Sequence, residues 1–414
     1  MGDTVATHSP SHDLAGPAGK GATGLSRRRA WRQLWIEVHS YLGLFVGALL
    51  VVFGVTGSVL VCWQEIDEWL NPALLTVTVP SGVPAGEQGY RSLGEILAAA
   101  LQAAPGSRVT QIYGPGSSEG VFAVYADQPS KAWARIFVDP YRARVTGLRS
   151  YGANEWVPSS FMDGILALHY ALFLGETGVL LAGIAAVLLI LSFVTGLIVW
   201  WPRAGQWRHA FVIRQPTNPT RLNFDLHKTT SLYTCLVLGA VLLSGVDMNV
   251  TGPFVWMVQL FSPATRGPAE APHSTPAPGL ASIGAERALA IAAATYPDGV
   301  LSGVTMPDGE TGVYLVSRRA VPGLSAFWSE RTVTIDQFSG AILEVRDPAK
   351  RRSAGEAFLD WQWPLHSGQA FGWAGRLMVF VSGLACPVIY VTGFRMWWRK
   401  RRTKTTSKLH APNR

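Results

Sequence analysis

Four apolar runs, at about residues 34–63, 178–202, 232–250 and 377–398, stand out from an otherwise mixed chain. Each reaches the roughly 20 residues that cross a bilayer as a helix. The first is too long for a cleaved signal peptide, and Cys62-Trp63-Gln64-Glu65 follows it in place of a small-residue cleavage site. Between runs one and two, and again between runs three and four, the pattern changes to short elements. Apolar residues recur at helical spacing over 93–104 and 283–296. Strand-like alternation follows at 108–113, 121–126 and 135–138, and at 301–306, 313–316 and 331–335. Each series closes on a turn, Val138-Asp139-Pro140-Tyr141 or Ile335-Asp336-Gln337-Phe338, before one more strand. The loops therefore read as small α+β units packed on each other and on the membrane mouth, since a unit of roughly 100 residues buries little core alone. Residues 1–26, rich in Gly, Ala, Ser, Thr and Pro, predict a disordered tail, and 262–279 a flexible excursion.

The pattern is also a duplication. Span one aligns with span three at an offset of 188, pairing Glu37 with Asp225, His39 with His227 and Thr56-Gly57 with Ser244-Gly245. Span two aligns with span four at an offset of 197, pairing Asp163 with Asp360, His169 with His366, Thr195-Gly196 with Thr392-Gly393 and Trp200-Trp201 with Trp397-Trp398. Each half begins and ends on the same side, so the two repeats are parallel, related by an axis along the membrane normal.

Composition agrees: 48% of residues are apolar and 15% charged, as in membrane proteins. The net charge of +8 is unevenly spread. Residues 1–39, 202–228 and 395–414 hold 18 Lys/Arg against 4 Asp/Glu, and the remainder holds 17 against 23. That asymmetry places both termini on the cytoplasmic side and both large loops outside. The basic runs at 27–29 and 399–402 abut spans, so they read as topology signals, and no nucleic-acid partner is expected. The glycine-rich stretch 16–24 lacks the flanking strand and Gly-Lys-Ser/Thr of a nucleotide loop. Cys62, Cys235 and Cys386 lie in or beside spans and predict packing, not disulfides; without a Cys-x-x-Cys-His, covalent haem attachment is excluded.

The chemistry rests on histidine. Ionisable or metal-ligating groups in membrane spans are costly and mark function. The topology puts His39 and His227 near the cytoplasmic face and His169 and His366 near the outer face. Two imidazoles at matching depth on related helices suit the two axial positions of a haem iron. Gly43 and Gly47 after His39, Ser231, Cys235 and Gly239 after His227, and Gly368, Gly372 and Gly375 after His366 would make room for the macrocycle. Arg376 is a candidate propionate partner, or marks the edge of span four. The competing reading is interfacial histidines with glycines packing helix on helix. Asp163 and Asp360 read as helix caps or as groups meeting substrate or protons. Glu37 and Asp225 read as partners of local Arg, and Asp247 as an interfacial polar end or a proton or quinol site. Trp361, Trp363 and Trp373 either stack on a ligand or pack. His169 lies 31 residues before Trp200, about 46 Å of continuous helix against a core of about 30 Å. Breaks are therefore expected near 175–178 and 367–368.

Val38-His39-Ser40-Tyr41-Leu42-Gly43, the Thr-Gly and Trp-Trp-Pro-Arg closing span two, Asn223-Phe224-Asp225-Leu226-His227, Pro364-Leu365-His366-Ser367-Gly368 and the Val-Asp-Pro-Tyr turn recur in order. Over about 30–402 the chain resembles the PepSY-associated transmembrane family. Loop one has Arg142-Ala143 after its turn where a Gly is usual. The resemblance implies a membrane α-helical protein with four transmembrane helices in two parallel pseudo-symmetric repeats and two α+β PepSY-like periplasmic loop domains. The expected boundaries are a disordered cytoplasmic tail (1–26), helix one (27–63), periplasmic domain one (64–160), helix two with an interfacial segment (161–203), a cytoplasmic loop (204–226), helix three (227–250), periplasmic domain two (251–357), helix four with its interfacial segment (358–399) and a basic tail (400–414). Family members include ferric-siderophore reductases of the bacterial inner membrane. The resemblance thus implies two haem b groups held by His39, His227, His169 and His366, and delivery of electrons to a ferric siderophore on the periplasmic side. No dinucleotide or flavin fingerprint is present, so the donor would be a quinol or a cytoplasmic reductase. Two alternatives stay open: a haem conduit to a periplasmic redox protein, and a haem-free regulator whose loops restrain a periplasmic peptidase.

Overall fold

The computed structural model describes residues 20–130, 132–151, 160–202, 205–215, 218–264, 271–323, 325, 327–350 and 353–409. Most of the expected tail (1–26) and part of the 262–279 excursion lie outside them; residues 20–26 already belong to the first helix. That helix, α1 (Lys20–Phe45), turns through 54° into α2 (Gly47–Leu60). The bend falls where a side chain on Gly47 would meet Tyr390, its ideal Cβ lying 2.6 Å from the ring. Helices α3 (Trp63–Leu70) and α4 (Pro72–Leu75) lead to α5 (Leu93–Ala103), started by a capping box between Ser92 and Glu95. Strands β1 (Arg108–Tyr113), β2 (Phe122–Asp127), β3 (Trp133–Asp139) and β4 (Arg144–Tyr151) follow, then α6 (Phe161–Ala171) and α7 (Gly175–Trp200).

The second half repeats this order with local additions. After α8 (Trp207–Ala210), α9 (Pro219–Asn249) starts earlier than the apolar run predicts. Asn218 caps it, accepting from the Arg221 amide at 2.8 Å, and Pro219 fits its first position. Then come α10 (Thr251–Gln259), α11 (Ala285–Thr295), β5 (Val300–Thr305), β6 (Val313–Arg319), β7 (Glu330–Asp336) and β8 (Ile342–Arg346). Helices α12 (Ala354–Asp360), α13 (Gln362–His366) and α14 (Gly372–Leu409) complete the chain. Among the described residues three helices are long and apolar enough to cross a membrane, and α1–α2 makes a fourth if the bent pair is one span.

The expected breaks before spans two and four are present. Leu172 and Phe173 take left-handed backbone between α6 and α7, a few residues ahead of the predicted stretch. In the other half Gly368 (φ 77°) and Gly372 (φ 58°) turn the chain between α13 and α14. Gly368 and Gly375 pack backbone to backbone, and Gly372 lies under Phe327. These glycines make the turn, in place of the macrocycle room the sequence suggested for them. Elsewhere small residues bring helices together: Ser58 Oγ of α2 donates to the Phe380 carbonyl of α14 at 2.8 Å, and any side chain on Gly383 would collide with Gly54. This is the packing mode of apolar helices that gain nothing by leaving lipid.

The two loops do more than pack together: they share one sheet. Its order is β4-β3-β2-β1-β5-β6-β7-β8, with antiparallel neighbours. At the centre Ile112 stands opposite Val304, both fully buried, so the halves meet about a two-fold at the seam. Helices α5 and α11 cover one face, and Ile96, Ala100, Ala288, Ala292, Val124, Ile136, Val316 and Ile335 form a single core beneath them. Burying each large aliphatic side chain stabilises by about 1.5–3 kcal/mol.

Each half closes its third strand on an aspartate that binds the turn. Asp139 accepts from the amides of Tyr141 (2.8 Å) and Arg142 (3.2 Å). Asp336 accepts from the amides of Phe338, Ser339 and Thr275 and from the Ser339 hydroxyl. Burial alone would raise the Asp336 carboxyl, but these donors outweigh it and hold it at about 2. With a folded value below the unfolded 3.8, its stabilisation, on the order of 2 kcal/mol, is full above pH ~4 and lost as pH falls toward 2. Asp336→Asn is expected to flatten the decline in melting temperature between pH 5 and 2.5. Identical slopes in variant and parent would show that Asp336 is not its source.

Candidate functional site

The four histidines come from four different helices, and the fold brings them into two pairs. His39 of α1 faces His227 of α9, with ring centres 6.3 Å apart and planes at 68°. His169 of α6 faces His366 of α13, at 6.1 Å and 70°. These are the pairs the repeat predicts. An imidazole nitrogen binds a first-row metal at about 2.0 Å and lies about 1.1 Å from its ring centre, so rings sharing one metal have centres about 6.2 Å apart. Both separations match.

What aims the rings is a feature the sequence displayed but did not explain. Each histidine sits in a Thr/Ser-Gly socket on another helix. His39 Nδ1 meets the Ser192 carbonyl (3.0 Å) and Thr195 Oγ1 (3.3 Å) of α7. His227 Nδ1 meets the Ile389 carbonyl (2.9 Å) and Thr392 Oγ1 (3.1 Å) of α14. His169 Nδ1 meets Thr56 Oγ1 of α2 at 2.9 Å. His366 Nδ1 meets Ser244 Oγ (2.9 Å) and the Val241 carbonyl (3.1 Å) of α9. The glycine after each hydroxyl residue leaves space for the ring edge. A Cβ on Gly57 would lie 3.0 Å from His169 Cε1, on Gly196 3.0 Å from His39 Cε1, on Gly393 3.1 Å from His227 Cε1 and on Gly245 3.7 Å from His366 Cε1.

The sockets fix the tautomer. Each hydroxyl spends its proton on its own helix: Thr56 on the Val52 carbonyl, Thr195 on Ser192, Ser244 on Ala240 and Thr392 on Val388. It can then only accept from the imidazole. The Nδ1 atoms carry the protons, and the Nε2 lone pairs are left for a partner between the rings.

The His39–His227 pair opens on a cavity of about 1220 Å³ lined by Gly43, Ser231, Cys235 and Gly393 among others. Gly43 has nothing within 4 Å of its ideal Cβ, so here the expected room exists, whereas Gly47 is filled by Tyr390. The indole N–H of Trp200, which also lines the cavity, is buried without a partner among the described residues. Arg32, Arg214 and Lys400 stand on the same lining. An orphaned donor and a basic rim suit an anionic group, such as a propionate, at that end. No cluster of three or more His, Cys, Asp or Glu fit for a bare metal ion occurs among the described residues. A porphyrin needs only the two axial nitrogens, because it brings four of its own. The His39–His227 pair and its cavity therefore fit a haem, and the His169–His366 pair matches it in ring separation.

Arg376 has other partners. Its guanidinium holds Glu65 (2.7 and 2.8 Å) and the Val61 carbonyl (2.6 Å) and lies 4.1 Å over Trp373. It ties the start of α14 to the end of α2, and none of these contacts is to a histidine. Asp225, fully buried, pairs with Arg221 (3.0 Å) and Lys228 (3.1 Å) as expected, while Glu37 accepts from Gln33 at 2.6 Å. The Asp247 carbonyl accepts from Thr251. Trp361 packs edge-on against Phe371.

Sequence reasoning missed a buried ionic cluster beside α6. Asp163, in the first turn of a helix capped by Ser160, accepts from Arg135 (2.8 Å), Tyr151 (2.7 Å) and Arg149 (3.4 Å). Arg149 also grips Asp67 of α3 through two bonds of 2.8 and 2.9 Å. All four charged residues are at most 7% exposed. The cluster thus fastens β3 and β4 to α3 and to the helix that carries His169. Asp360, its aligned counterpart, is exposed at the end of α12, so the paired alignment concealed the difference.

Apolar helices of spanning length, imidazoles paired across them and an attached antiparallel sheet define a membrane protein with a sheet-bearing head. The chain belongs to the family described as the PepSY-associated TM region, whose model matches residues 36–400. Comparison with curated proteins gives no match.

Proposed function

We propose that the protein is a di-haem b reductase of the bacterial inner membrane, with both termini cytoplasmic, that passes electrons outward to a ferric siderophore. The observation that carries this reading is the pair of facing imidazoles, twice repeated, with each Nδ1 turned to an acceptor on another helix and ring centres 6.1 and 6.3 Å apart. His39 and His227 would hold one haem and His169 and His366 the other. Bound there, a haem supplies a one-electron carrier whose potential answers to its axial ligands. The chain's own residues orient the imidazoles, exclude one tautomer and offer Trp200 and the basic rim to carboxylates on the inner side. The two-fold sheet would be the pair of periplasmic PepSY-like units, placed over the outer histidines by the Asp163 cluster. The donor, by this reading, is a separate quinol or cytoplasmic reductase. Reducing iron weakens its hold by hard oxygen ligands and so releases it.

Purified protein is expected to carry two haems per chain. The double variant His39→Ala/His227→Ala should carry one, and a variant lacking all four histidines should show no Soret band. Stopped-flow mixing of the reduced protein with a ferric chelate should reoxidise both haems. Protein without a Soret band would reject the reading and favour a haem-free role for the loops. Haems that ferric chelates leave reduced, but a periplasmic redox protein oxidises, would replace the substrate.

A further inference from the structure

The two sockets are not equivalent in what they offer the imidazole. At the inner pair the nearer acceptor is a backbone carbonyl: Ser192 at 3.0 Å against Thr195 Oγ1 at 3.3 Å, and Ile389 at 2.9 Å against Thr392 Oγ1 at 3.1 Å. At the outer pair a hydroxyl stands at 2.9 Å from each ring, nearer than the carbonyl at His366. Ser244 Oγ stands at 2.9 Å from His366 with the Val241 carbonyl at 3.1 Å, and Thr56 Oγ1 at 2.9 Å from His169 with the Phe53 carbonyl as its companion. The order of the two distances at His366 is the reverse of that at His39 and His227, and at His169 the threonine hydroxyl stands at 2.9 Å.

The acceptor on Nδ1 matters because it sets how much electron density the ring gives through Nε2. A stronger pull on the Nδ1 proton makes the ligand more basic, and more basic axial ligands favour ferric over ferrous iron. A backbone carbonyl cannot be removed by changing a side chain, whereas a hydroxyl can. From the sockets we infer that Thr56 and Ser244 are positioning residues that tune the outer ligand pair through its Nδ1 protons, while at the inner pair the backbone does most of this work. The inference rests on the di-haem reading. It adds that the chain holds a side-chain control on one of its two sites, acting through histidines that Thr56 and Ser244 orient without touching the iron.

The experiment is a spectroelectrochemical titration of the intact protein and of two double variants, Thr56→Val/Ser244→Ala at the outer sockets and Thr195→Val/Thr392→Val at the inner ones. The potentials are assigned with His39→Ala/His227→Ala protein, which should keep the outer haem alone. Haem counts on the same samples test the underlying reading separately: parent protein with no haem removes that reading and this inference with it. With two haems present, the outer variant should raise the outer potential and leave the inner one in place. The inner variant should shift its own potential by less. Equal shifts at the two sites, a larger shift at the inner one, or none at either would overturn the inference. If the outer variant cannot keep its haem, Thr56→Ser and Ser244→Thr decide. Each retains a hydroxyl, so retention of the native outer potential supports the inference, and a displaced potential or loss of haem overturns it.

Discussion

On the di-haem reading, replacing Gly57 with leucine is expected to remove the haem proposed between His169 and His366 while leaving all four histidines in the chain. The glycine's place for a Cβ is already 3.0 Å from His169 Cε1, closer than carbon atoms rest in ordinary contact. A leucine adds three further carbons in that direction, and the ring must swing off Thr56. The Nδ1 bond and the aim of Nε2 are then lost together, so the haem count should fall from two to one. Gly196→Leu should remove the inner haem for the same reason. The spacing also predicts tolerance: Gly245 has its ring edge at 3.7 Å, so alanine there should keep both haems. A Gly57→Leu protein with two haems and unshifted spectra would mean that the socket does not hold the ring.

The second large effect is on stability. Asp163→Ala leaves Arg135 buried without its carboxylate and strips Arg149 and Tyr151 of an acceptor. Removing one partner of a buried ion pair costs about 3–5 kcal/mol, because the remaining charge is left uncompensated. The loss should appear as a marked fall in melting temperature of the purified protein in detergent. Because α6 hangs from this cluster, the di-haem reading adds that occupancy of the His169–His366 site should weaken with it, while the His39–His227 site keeps its haem. Asp360→Ala, at the exposed counterpart, should change melting far less. Equal effects from the two substitutions would show that the cluster contributes no special stability.

Much of this architecture was legible because it is written in periodicity. The apolar runs, the amphipathic helices and nearly every strand fall within a few residues of where alternation places them, since one period sets which face is buried. The histidine pairs were legible because the intervals repeat. Three features were not. The β1–β5 seam depends on which edge strands meet, and alternation along one strand does not name its neighbour. The sockets were visible as Thr-Gly and Ser-Gly, but their role requires knowing that the histidine of one helix reaches the dipeptide of another. The Asp163 cluster draws on Asp67, Arg135 and Arg149, which lie far apart in the chain and carry no common spacing. Arg376 shows a related limit: its place at a span edge gives no sign that its carboxylate partner, Glu65, lies 311 residues away.

The seam has a consequence for how such a molecule could be assembled. A gene for one half alone would encode β1 as a bare edge, and an uncovered edge invites another strand. Because Ile112 and Val304 meet about a two-fold, two identical copies could satisfy that edge by an isologous β1–β1 contact. Each imidazole couple would then take one ring from either subunit. A polypeptide ending at Pro202 should accordingly sediment as a homodimer, and a monomeric product would speak against it.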